Sequence, residues 1–176
     1  MLGKTHLVGG VCTGVLTTTW LLHQTNFSKI ALLGAPLLIA SAGFGSLLPD
    51  IDHPNSKIGR RFKLLSKLTN KLLGHRGATH TLLAMMILSV LLFMLNISLP
   101  IALQPLGSTV VIGVTAGYFS HILLDALTPS GVPLFAPFIK KSIRFARLTT
   151  GKYDSFVSVV MVLGTFWILY ATSSFA

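Results

Sequence analysis

The sequence contains no glutamate, and only four of its 176 residues are acidic. Charged residues of either sign make up 10% of the chain. An ordinary soluble domain carries about a quarter, so a water-facing surface all round is excluded. A single cysteine, Cys12, rules out an internal disulfide and any Cys/His finger spacing, and it leaves redox compartment unread. There is no Gly-rich phosphate loop, no G-x-S-x-G nucleophile turn and no internal repeat.

What is present is apolar. Hydrophobic residues reach 52% and gather into five runs, at 7–23, 29–48, 81–99, 106–127 and 155–174. Each is near the roughly 20 residues that cross a hydrocarbon core. The expected fold is therefore all-α: one integral membrane domain over 1–176, a polytopic bundle of about five transmembrane helices. The first run reads as a span and not as a cleaved leader, because no small-x-small site follows it. The segment 57–73 adds an amphipathic interfacial helix, with Ile58, Phe62, Leu65, Thr69 and Leu72 on one face and Arg60, Lys63, Lys67 and Lys71 on the other. Two G-x-x-x-G pairs, Gly10/Gly14 and Gly113/Gly117, suit close packing of helices.

Lysine and arginine orient the bundle. Twelve of the fourteen fall in 49–78 and 128–154. With both basic loops inside, the N-terminus is cytoplasmic, as expected for a multi-pass protein of a bacterial inner membrane. The formal charge of +10 then reads as contact with membrane lipid and its anionic headgroups, with no sequence-specific nucleic acid partner expected. On this topology all four acids and five of the six histidines fall at one membrane face, His23 being the exception.

Three motifs carry the chemistry. Pro49 and Pro54 bracket Asp50-Ile51-Asp52-His53, and an extended turn there would aim Asp50 and Asp52 to one side. A helix-ending turn with Asp as local acceptor is the alternative. In His75-Arg76-Gly77-Ala78-Thr79-His80, Thr79 is the candidate cap of the next helix and His80 its first turn. Arg76 is the candidate anion clamp, or else a positive-inside anchor. His121 and Asp125, four apart, share one helix face and are either a ligand pair or a buried hydrogen-bonded pair. Thr128-Pro129-Ser130-Gly131 ends that helix. With His6, the set His6, Asp50, Asp52, His53, His75, His80, His121 and Asp125 offers more nitrogen and oxygen ligands than the four a zinc ion needs. One or more divalent ions fit, zinc first, with manganese and iron also suited to imidazole and carboxylate. Asp52 or Asp125 is the candidate general base, and Asp154 is a further ligand or a cap of the last span.

Thr5-His6, Leu48-Pro49-Asp50-Ile51-Asp52-His53-Pro54, Gly74-His75-Arg76-Gly77-Ala78-Thr79-His80 and Ser120 through Val132 form four ordered blocks. In these the chain resembles a bacterial inner-membrane family of metal-dependent hydrolases, some of whose members are described as LexA-regulated or LexA-binding. The resemblance implies an integral membrane hydrolase using bound metal and names no substrate. The expected function is hydrolysis of an amphiphilic or phosphoester, lipid-like substrate at the cytoplasmic interface. Two alternatives stay open: a non-catalytic metal-stabilised scaffold that binds a regulator protein, and, less favoured, a metal transporter.

Overall fold

The computed structural model describes residues 1–25, 29–73, 78–139 and 141–173. Among them it is all-helical: α1 (Gly3–Gln24), α2 (Lys29–Gly45), α3 (Lys57–Arg61), α4 (Lys63–Leu73), α5 (Leu82–Ile97), α6 (Gln104–Ala126) and α7 (Asp154–Ser173), with short 3-10 turns at Leu48–Asp52, Ala78–His80 and Ile101–Leu103. An isolated antiparallel bridge joins Val132 to Ile143 in the long connection before α7.

The expectation of five spans needs correcting. Three described helical stretches are long and apolar enough to cross a membrane: Ala31–Asp52, Ile101–Ala126 and Asp154–Ser173. α5 is apolar but only 16 residues long, about 24 Å at 1.5 Å per residue, against a core of about 30 Å. α1 has the length, with 22 residues. It falls short in apolar character, with His6, Thr13, Thr17, Thr18, Thr19 and His23 along it.

The centre of the molecule is the crossing of α1, α2 and α6. Both G-x-x-x-G pairs meet on one stretch of α2. A Cβ added at Gly10 would lie 2.6 Å from the Ala42 carbonyl oxygen, and one at Gly113 would lie 2.6 Å from that of Leu38. Gly117 also presses on the Ala42 backbone, and Ala42 is fully buried. Glycine is required at this seam because the backbones touch with no room for a side chain. The crossing brings the N-terminal end of α1, the C-terminal end of α2 and the C-terminal end of α6 together.

α5 joins α6 through polar contacts within apolar surfaces. Ser89 Oγ lies 2.8 Å from Thr115 Oγ1, and Asn96 donates from Nδ2 to Ser108 Oγ at 3.0 Å. α7 packs on α1 and exposes Phe156, Phe166, Trp167 and Tyr170.

The expected amphipathic helix over 57–73 is instead two short helices. They break at Phe62, whose φ of −116° and ψ of 57° leave the helical region. Ser66 and Asn70 face the protein, with Asn70 donating to the Asp52 carbonyl at 2.7 Å. Leu64, Leu65 and Leu68 are exposed. The apolar stripe thus points away from the bundle.

Candidate metal centre

Each of the three motifs ends at the α1–α2–α6 crossing. Pro49 fits the first turn of the 3-10 segment Leu48–Asp52, where its missing N–H costs nothing. The segment is helical, contrary to the extended turn considered above, so Asp50 and Asp52 point different ways. Asp50 reaches the cluster with its side chain 19% exposed. Asp52 is fully buried and accepts a hydrogen bond from Thr79 Oγ1 at 2.7 Å.

The second motif also departs from expectation. The cap of α5 is Thr81, whose hydroxyl accepts from the Ala84 N–H at 3.0 Å. Thr79 and His80 lie before the helix, in the 3-10 turn. This frees the Thr79 hydroxyl for another task. It donates to Asp52, so its lone pair faces His80 Nδ1 at 3.0 Å. His80 Nδ1 is thereby engaged, and Nε2 is turned toward the other side. Tyr118, buried on α6, donates from its hydroxyl to the Thr79 carbonyl and holds the turn in place.

His121 is fixed in the same sense by a different acceptor. Its Nδ1 lies 2.7 Å from the Ser46 carbonyl oxygen, just beyond the end of α2. Nδ1 donates to that oxygen, which turns Nε2 toward the cluster. His80 Nε2 and His121 Nε2 are 3.3 Å apart. Asp125 Oδ2 lies 3.6 Å from the first and 3.7 Å from the second. Asp50 Oδ1 lies 3.9 Å from each. The two imidazole nitrogens thus lie close to each other and to both carboxylates. Nitrogen and oxygen ligands at about 2.0–2.1 Å around a tetrahedral ion sit about 3.3 Å from one another. The spacing found here is that of a slightly expanded shell.

His6 completes the cluster from α1. Its ring stacks on His121, with centroids 3.7 Å apart and planes 13° from parallel. It is fully buried, and neither ring nitrogen has a hydrogen-bond partner. Nε2 comes within 3.2 Å of Asp125 Oδ1 but without hydrogen-bond geometry. Burying an unsatisfied imidazole costs about 1–3 kcal/mol, and an ion would remove that cost. Asp125 thus presents Oδ2 to His80 and His121 and Oδ1 to His6. The Met1 amino group also meets Oδ1, at 2.5 Å, so positive charge is already drawn to this oxygen. His6, His121 and Asp125 form one group able to hold a metal ion, and Asp50, His80 and His121 form a second.

The family follows from the sequence as a whole. The model of the YdjM inner membrane protein family matches residues 1–176. This chain belongs to that family. The YdjM inner membrane protein of Escherichia coli (strain K12) is 46% identical over 105 residues, which cover 57% of this chain and 49% of the relative. The Shigella flexneri YdjM matches to the same extent. The chain thus spans about half the length of these YdjM relatives. The uncharacterized protein YvsG of Bacillus subtilis (strain 168) is 36% identical over 139 residues, 78% of this chain and 74% of the relative. No solved structure matches. The YdjM family and the apolar helices together make this a bacterial inner membrane protein.

In this YdjM-family chain the fold gathers six of the eight expected ligands, His6, Asp50, Asp52, His80, His121 and Asp125, with Asp52 behind the others as the carboxylate that orients His80. His53 belongs to neither metal-holding group among the described residues and lines a neighbouring hollow. His75 and Arg76 lie outside the described residues. Asp154 is a cap, though of α1 and not of its own helix. It accepts the Leu2 N–H at 2.6 Å and the Thr5 hydroxyl at 2.7 Å, and draws in the Gly151 N–H as well. Thr128 closes α6 by donating to the Asp125 carbonyl. Sequence reasoning missed Ser46 and Tyr118 and misassigned Thr79. A backbone carbonyl leaves no mark in sequence. The Thr79 hydroxyl, one residue before His80, did carry a signal.

Proposed function

We propose that the protein is a metal-dependent hydrolase of the bacterial inner membrane, acting on an amphiphilic phosphoester at the membrane interface. The observation that carries this reading is that His80 Nε2 and His121 Nε2 lie 3.3 Å apart and each lies 3.6–3.9 Å from Asp125 Oδ2 and Asp50 Oδ1, with both imidazoles held by their Nδ1 atoms. A divalent cation held by these groups would offset the burial of their carboxylates. His6, His80, His121, Asp50 and Asp125 would hold one or two divalent ions, zinc first by ligand type. Such an ion supplies a nucleophile from water at neutral pH and polarises a substrate oxygen.

The protein's own residues do the rest. Asp52 and Thr79 orient His80, and the Ser46 carbonyl orients His121. Asp50 is the most exposed of the ligands, so substrate approaches from its side. It is also the carboxylate best placed to take a proton from an incoming water, ahead of Asp52 and Asp125, which are buried. The Asp125 oxygens face the histidines, which favours a ligand role over the general-base role considered from sequence. The test is elemental analysis of gently purified protein, followed by phosphoester hydrolysis with and without chelator. We expect bound metal, and activity that chelation abolishes and zinc or manganese restores. Activity indifferent to chelation and to His80→Ala would sink the reading.

A further inference from the structure

Beside the cluster lies a hollow of about 500 Å3, lined among others by Lys4, Asp50, His53, Ser56, Lys57 and Arg60. Ligand sites commonly have volumes of about 300–1,000 Å3. It borders the metal centre through Asp50, which is shared by both. Two separate parts of the chain form its walls. The start of α1 supplies Lys4, and α3 supplies Lys57 and Arg60. The walls are in register, because the Lys57 stem runs 3.8 Å from where a Cβ on Gly3 would be. The lining therefore holds three permanent cations, and its one carboxylate is a candidate metal ligand. The cations are solvent-exposed, and no salt bridge pairs Lys4, Lys57 or Arg60 with an acid among the described residues. A chain with four acids in all has none to spare for them.

We propose that this hollow is the subsite that binds the phosphate group of the substrate, with Lys4, Lys57 and Arg60 as its anion-binding residues. The proposal rests on the hydrolase reading above and adds the recognition element. Arg60 offers the planar fork that grips two phosphate oxygens, and the two lysines add point charge. A phosphate held there sits next to Asp50, so the ester bond meets the edge of the cluster that substrate can reach. α4 follows α3 directly in the chain, and its exposed Leu64, Leu65 and Leu68 suit insertion into acyl chains. Either a lipid headgroup or a free phosphate ester could supply this group.

The test is isothermal titration of detergent-purified protein with inorganic phosphate, with metal content measured on the same samples. Wild type should bind phosphate, and Lys57→Ala/Arg60→Ala should bind it at least about tenfold more weakly at unchanged metal content. Lys57→Arg should bind as wild type does, and so should Lys67→Ala, which removes a charge from α4 outside the hollow. Nanodiscs containing phosphatidic acid that compete with phosphate in wild type and not in the double variant would assign the subsite to a lipid headgroup. Binding of free phosphate with no such competition would assign it to a soluble ester. Equal affinity in wild type and double variant, or a metal-replete wild type that binds no phosphate, overturns the proposal. A metal-free wild type that still loses phosphate binding in the double variant would instead overturn the hydrolase reading and leave the subsite standing.

Discussion

α6 and α7 are both apolar, of similar length and able to span a membrane, yet they do opposite things. Within the apolar stretch of α6, 39% is buried inside the protein, against 11% for α7. α6 packs against α1, α2 and α5 and ends in two metal-site residues. α7 packs on α1 and turns its aromatic side chains outward. The difference lies in a few positions. Gly113 and Gly117 let α6 press backbone to backbone on α2, whereas a Cβ at Gly164 of α7 would meet nothing within 4 Å. Between two helices of similar hydrophobicity, small residues and intramembrane polar groups decide which one becomes core.

Substitutions can break or sharpen that contrast. The largest effect is expected at the functional end of α6. His121→Ala or Asp125→Ala should lower bound metal at least about tenfold by elemental analysis, since His121 belongs to both ligand groups and Asp125 to the one with His6. Metal content equal to wild type would make the cluster a structural hydrogen-bonded knot. Next, Gly117→Leu should destabilise the protein by about 3 kcal/mol or more, read as loss of helicity in a detergent unfolding titration, because the added carbons fall on the Ala42 backbone.

Third, Thr79→Val should weaken metal affinity by about 10–100-fold with the fold intact, because His80 loses the hydroxyl that links it to Asp52. An unchanged affinity in a zinc competition titration would remove Thr79 from the site. Asp154→Asn comes fourth and should cost about 1 kcal/mol of thermal stability, typical of losing a helix cap. The smallest effect belongs to α7. Gly164→Leu should stay within about 0.5 kcal/mol of wild type in the same unfolding titration as Gly117→Leu. A loss as large as that at Gly117 would show that α7 has a partner face, and the contrast between the helices would fail.

Much of the site was legible from residue types. His6, Asp50, His80, His121 and Asp125 were candidate ligands because acids are scarce and sit beside histidines. The roles were less legible. Asp50 and Asp52 looked equivalent until the 3-10 turn rotated them apart, one toward the cluster and one behind His80. Thr79 looked like a cap because either Thr79 or Thr81 could precede α5, and local pattern cannot choose between hydroxyls two residues apart. Asp154 was legible as a cap, but the helix it caps is α1, 149 residues away from Thr5 in sequence. The count of spans was overread because a run of apolar residues does not reveal where a helix ends: α5 stops after 16 residues.

Sequence alone determined the solvent and the candidate ligands. A chain half apolar and nearly without acids must face lipid, since it cannot hydrate its surface, and imidazoles placed beside its few carboxylates must serve some shared purpose. How each imidazole is oriented, which carboxylate lies beside the histidines and which steadies a neighbour, and how Lys4, Lys57 and Arg60 come to line one hollow were decided only by packing. Those properties depend on carbonyls and hydroxyls brought within 3 Å by helices that touch at glycine, and side-chain identity along a chain does not encode such distances.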